Sequence, residues 1–110
     1  MIDWVRVADL RSEIGEDSFH EVITLFLEET DEVTDRLSLG RPSADLGKDL
    51  HFLKGSSLNL GFRELARLCS DGERHFQTQG PAGIDLGRIL GCYQASRRSF
   101  RDGIANLSAA

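Results

Sequence analysis

Three residues of this chain combine types and spacing that can do chemistry: His51, Lys54 and Gly55. At the helical period of about 100° per residue, Leu46, Leu50, Leu53, Ser57 and Leu60 fall on one buried stripe. His51 then points the other way, with Lys54 and Gly55 beside it on the outer face and Leu58 one more turn along. An unperturbed imidazole titrates near ~6.5, so at neutral pH it offers an unprotonated nitrogen as a nucleophile. The neighbouring ammonium can neutralise charge on the oxygens of an anionic group. Gly in a helix interior costs about 0.5–1 kcal/mol relative to Ala. Position 55 faces outward, so no core contact calls for it. One reason for it is clearance, letting another surface reach His51 without meeting a Cβ. A lone glycine also fits a weak spot in the helix or a close contact with another helix. With His51 at i−4 and Lys54 at i−1, the clearance reading is the stronger one.

The run His51-Phe52-Leu53-Lys54-Gly55-Ser56-Ser57-Leu58-Asn59-Leu60-Gly61 resembles the signature of histidine-containing phosphotransfer (HPt) domains, His-x-Leu-Lys-Gly-Ser-(Ser/Ala)-x-x-Leu-Gly. The resemblance implies that His51 accepts a phosphoryl group and relays it to and from aspartates of response-regulator receiver domains. It also implies a sensor histidine kinase, hybrid or otherwise, upstream. Lys54 would stabilise phosphoryl charge, since phosphoryl transfer is mainly positioning and neutralisation of oxygen charge. The family's partners bury apolar residues of the histidine helix and the helix before it. Gly55, Ser56, Leu58 and Leu25 are therefore the docking candidates. Ser56 lies on the flank, where it can bond backbone or water, and Ser57 points inward as a small packing residue.

The chain has no Gly-x-x-x-x-Gly-Lys-Ser/Thr loop for a nucleotide and no acidic cluster of the receiver type for magnesium. The expectation is thus a phosphocarrier, not an enzyme, with no cofactor of its own and Mg²⁺ supplied by the partner receiver. Ser56-Ser57 suits stand-alone or hybrid-kinase HPt domains better than chemotaxis-type kinases, which often carry Gly-Gly or Gly-Ala after the lysine. Met1 at the start favours a free-standing protein. A helical adaptor that binds receivers or kinases without carrying phosphate is the alternative. An all-helical metal or cofactor bundle would need inward-facing His and carboxylates, and the stripes contain no convincing set.

The elements that must position these residues read as four amphipathic helices and a short first one. Residues 3–14 form the first helix, with Asp3 as N-cap, an apolar side of Val7, Leu10 and Ile14, and Gly15 as its stop. Trp4 covers one end of the core. Residues 18–39 form a long helix, opened by a Ser18/Glu21 capping box. Its apolar stripe runs through Phe19, Val22, Ile23, Phe26, Leu27, Thr30, Val33, Thr34 and Leu37, and its acidic side includes Glu28, Glu29, Asp31 and Glu32. Leu25 falls outside the stripe. Gly40-Arg41-Pro42-Ser43 makes a turn, with Ser43 as a possible cap for the histidine helix at 44–60, which Gly61 ends. Helices at 62–78 and 85–107 follow, separated by Gly80-Pro81-Ala82-Gly83, with Asp85 capping the last. Short connections imply an all-α, antiparallel up-down four-helix bundle with an N-terminal capping helix.

With 110 residues, the chain is expected to form one domain, 1–110. No apolar run approaches the ~20 residues of a membrane span, and no signal peptide is visible. Cys69 and Cys92 fall on apolar stripes and read as buried thiols in a reducing cytoplasm. The net charge of −5 argues against non-specific nucleic-acid binding. It is uneven: residues 1–39 carry 11 acids and 3 bases, residues 40–110 carry 7 acids and 10 bases. An acidic face opposing a basic one, or orientation of a charged partner, would account for that. A monomer is expected. His20 and His75 lack metal-type neighbours and read as surface histidines.

Overall fold

The computed structural model describes residues 2–39 and 45–109, with side chains as far as Asn106. Five helices follow in order: α1 (Trp4–Ile14), α2 (Glu16–Ser38), α3 (Leu46–Leu60), α4 (Arg63–Gln79) and α5 (Leu86–Ala109). Among the described residues the only extended pairing is an isolated antiparallel bridge between Ile2 and Phe62. α2 packs on α3, α3 on α4, α4 on α5, and α5 back on α2, which closes the four-helix bundle. α1 lies across α2 and α3 at one end.

The apolar stripes meet in one core. Leu50, Leu53 and Leu60 of α3, Leu65 and Cys69 of α4, and Tyr93 and Phe100 of α5 are wholly buried, with Phe19, Ile23, Val33 and Leu37 of α2 beside them. Trp4 stacks on Phe100, ring centroids 6.1 Å apart, and lies against Gly103, where a Cβ would collide with the indole. It covers the end of the core, as expected.

The caps fall as anticipated at three places. Asp3 accepts from Arg6 N at 3.2 Å, Asp85 from Arg88 N at 3.0 Å, and Gly61 ends α3 with φ +78°. Gly61 also lies against the chain's start, whose Asp3 N donates to Gly61 O at 2.7 Å.

Two expectations are corrected. α2 begins at Glu16, so Ser18 and Glu21 lie inside the helix and make no capping box. Gly15 alone, at φ +95°, turns the chain from α1 into α2, and this one-residue joint leaves no room for a separate Ser18 cap. Glu16 and Asp17 stand in the first turn, where the helix dipole favours negative charge. Asp31, assigned to the acidic outer side, instead joins α2 to α5. It accepts from Tyr93 OH at 2.5 Å and from Arg97 Nε and Nη2 at 3.0 and 2.9 Å. The turn at 40–43 and the Ser43 cap lie outside the described residues.

Candidate functional site

α3 presents His51 on the outside of the bundle, its side chain 70 % exposed. The stripe Leu46, Leu50, Leu53, Ser57 and Leu60 is buried behind it, which fixes the rotation of the helix. Ser57 points inward as expected, its hydroxyl donating to Leu53 O at 2.5 Å.

α4 brings the residue that inspection of α3 alone does not reveal. Glu73 places Oε1 at 3.1 Å and Oε2 at 3.4 Å from His51 Nδ1. The same Oε2 lies 3.3 Å from Lys54 Nζ. One carboxylate thus joins the imidazole to the ammonium. α3 and α4 approach closely beside it, at Gly47 through a missing side chain. A Cβ on Gly47 of α3 would come within 2.7 Å of the Phe76 ring of α4, and one on Gly72 of α4 within 3.4 Å of Leu50. Glu73 follows Gly72 directly, and its side chain is only 15 % exposed.

Burial by itself would raise the Glu73 carboxyl, but the hydrogen bonds and charges of His51 and Lys54 outweigh it and hold it below the usual range. Glu73 is therefore ionised at neutral pH and can only accept. The proton of a neutral His51 ring then sits on Nδ1, and the lone pair on Nε2. Among the described residues Nε2 has no hydrogen-bond partner.

Beside His51, between α2 and α3, runs a groove of about 350 Å³ lined by Phe26, Glu29, Phe52, Gly55, Ser56 and Asn59. A Cβ on Gly55 would meet nothing within 4 Å, so contact with another helix does not explain this glycine, and the space above it is open. Ser56 lines the groove, and its partner is a side chain of α2. Its hydroxyl lies 2.8 Å from Thr30 Oγ1, which itself donates to Phe26 O at 2.7 Å, so Ser56 donates to Thr30 and ties α3 to α2.

Leu25 and Leu58 are exposed at 52 % and 59 %, but they do not share this groove. Leu58 lies on the α4 side with Lys54, Arg63 and Arg67. The apolar wall next to His51 is made instead by Phe26, which the helical pattern assigns to the core stripe, and by Phe52, 37 % exposed. An aromatic adjacent to the outward histidine was the available signal for Phe52. The other two histidines stand apart: His20 is exposed on α2, and His75 Nε2 donates to Ala82 O at 2.6 Å. No group of three or more metal-ligating side chains occurs among the described residues. Cys69 is buried and its thiol pushed up to about 12, chiefly by that burial, which leaves it inert. Among the described residues, no helix is long and apolar enough to cross a membrane.

The family model described as Hpt domain matches residues 21–110, a span that holds most of α2 and the whole of α3, α4 and α5. No curated protein and no solved structure matches the chain.

Proposed function

The chain belongs to the Hpt domain family, and from that premise we propose that it is a phosphocarrier that takes a phosphoryl group on Nε2 of His51 and passes it on. Membership implies phosphotransfer in two-component signalling, with receiver domains and kinases as partners, and a carrier's role more than a classical enzyme's. The observation that carries the assignment to His51 is its exposed ring with Nδ1 held by Glu73.

In loading, the Nε2 lone pair attacks phosphorus of an aspartyl phosphate on a receiver domain. The N–P bond forms, the P–O bond breaks, and its electron pair returns to the aspartate carboxylate. Lys54 meets developing charge on the phosphoryl oxygens. Gly55 leaves the incoming surface room to approach, and Phe26 and Phe52 offer it an apolar footing. The Mg²⁺ that such transfer uses would come with the receiver.

The test is to mix the chain with a radiolabelled phospho-receiver and Mg²⁺. The expected product is an acid-labile, base-stable label, located on His51 by mass spectrometry and lost in His51→Gln. A label elsewhere would overturn the assignment to His51, and a His51→Gln chain that takes up no label yet still signals in full would favour a non-phosphorylated adaptor.

A further inference from the structure

Resting on the reading that a receiver domain loads His51, we propose that Glu29 is a specificity-determining residue: it selects receivers that set a lysine or arginine against the α2 wall of the groove, and so fixes the way round in which they dock. Glu29 is exposed on α2 and lines the groove beside His51 together with Phe26 and Phe52. Among the lining residues, it alone carries a charge that neutral pH does not remove. It makes no hydrogen bond or ion pair among the described residues.

The cations of this chain near the groove do not answer that charge. Lys54, on the α4 side of His51, stands 3.3 Å from Glu73. Arg6 of α1 donates to Asn59, which lines the groove, at 3.3 Å, and is paired with Glu13 at 3.4 Å. Lys48, one turn before His51 on α3, does not line the groove and pairs with no acid among the described residues. Acids elsewhere on the bundle do have such partners: Asp31 has Arg97, Asp49 has Arg36 and Glu64 has Arg67. Glu29 keeps its charge open to an incoming surface.

The two sides of His51 therefore differ. The α4 side supplies a cation, Lys54, and the α2 side an anion, Glu29, beside aromatic walls. A receiver seated over His51 excludes water from that wall, and in the lower dielectric an opposite charge across the interface is felt more strongly. A carboxylate of the receiver, or its aspartyl phosphate turned toward α2, meets Glu29 as a like charge and is disfavoured. The productive orientation has the phosphoryl group toward His51 and Lys54 and the receiver's cation toward α2. Phe26 and Phe52 give footing to any apolar surface, whereas Glu29 distinguishes one receiver from another.

The experiment measures loading of the whole chain by a radiolabelled phospho-receiver that labels His51, with circular dichroism to check that each variant folds. Glu29→Gln should raise the receiver concentration for half-maximal transfer about threefold, and Glu29→Lys about tenfold, with the maximal rate unaltered. Glu28→Gln removes the same charge one residue away, outside the groove, and should shift that concentration less. Raising salt from about 0.1 to 1 M should close the gap between wild type and Glu29→Gln. Among receiver variants in which single exposed lysines or arginines are changed to glutamate, one should load Glu29→Lys better than it loads wild type. A half-maximal concentration unmoved or lowered in Glu29→Lys, an equal shift in Glu28→Gln, a gap that salt leaves unchanged, or the lack of any such rescue overturns the role of Glu29 and leaves the carrier reading standing. A wild-type chain that accepts no phosphoryl group on His51, from a phospho-receiver or from phosphoramidate, a small donor that needs no docking surface, overturns both.

Discussion

The ammonium of Lys54 stands 3.3 Å from the Glu73 carboxylate, whose other oxygen is 3.1 Å from His51 Nδ1. Before any phosphoryl group arrives, the cation that would stabilise it is held one residue away from where it is needed. Side chains on a helix lean toward its N-terminus, so Lys54 leans back over His51. Lys54→Met should therefore slow loading from a phospho-receiver by about tenfold, or ~1.4 kcal/mol of barrier. Stopped-flow or quenched transfer at saturating receiver checks it. Equal rates would show that Lys54 serves the Glu73 contact alone.

Two glycines of α3 should respond to substitution with opposite signs. Gly55→Ala adds a Cβ where nothing lies within 4 Å, and should raise stability by about 0.5–1 kcal/mol through helix propensity. Gly47→Ala puts a Cβ 2.7 Å from the Phe76 ring and should destabilise the bundle. Urea unfolding of the two variants checks the signs. Gly55→Arg should fold and yet transfer slowly, because its side chain fills the approach to His51. Unimpaired transfer in that variant would remove the clearance argument.

The helices could be read from the periodicity of their own apolar residues, and so could the outward rotation of His51. Information confined to one helix could go no further. Glu73 lies on α4, and its contact with His51 depends on how deeply α3 and α4 interlock at Gly47 and Gly72. Spacing along the chain does not carry that depth. The same limit explains Asp31, polar and next to the stripe, which reads as solvent-facing until Tyr93 and Arg97 of α5 are set against it. At Gly15 the misreading was local: a Ser18/Glu21 pattern fits a cap, but the glycine's positive φ starts the helix earlier.

The α2–α5 network yields a stability effect separable from the site. Tyr93→Phe removes the hydroxyl that donates to Asp31 and leaves Arg97 paired with it. The expected cost is about 1–2 kcal/mol, typical of a hydrogen bond to a charged acceptor. The urea midpoint should fall while labelling of His51 stays at the wild-type level. A loss of labelling at equal fold would mean that the network reaches the site.

Glu73 makes stability depend on pH in a definite direction. Burial opposes its ionisation, but His51 and Lys54 prevail and its carboxyl is lowered in the folded chain. A group lowered on folding stabilises the fold above its unfolded value, ~4.3 for Glu, and that contribution is lost as pH falls through the folded value. Wild type should therefore exceed Glu73→Gln in urea midpoint at pH 6, and the gap should close below about pH 4. A gap that widens on acidification would reverse the sign and contradict the ion-pair account.

Phe52 tests which apolar residues the partner meets. It is 37 % exposed, lines the groove beside His51, and belongs to no buried stripe. Phe52→Ala should leave the fold nearly unchanged, because little packing is lost. At an interface, a large aromatic in a desolvated position often carries well over 1 kcal/mol. The receiver concentration for half-maximal transfer should rise about tenfold, for ~1.4 kcal/mol, with the maximal rate unaltered. Leu25→Ala is the comparison. Leu25 is more exposed at 52 % but does not line the groove, and its loss should shift that concentration less. If Leu25→Ala proved the more damaging of the two, docking would be centred on the outer face of α2, away from the groove.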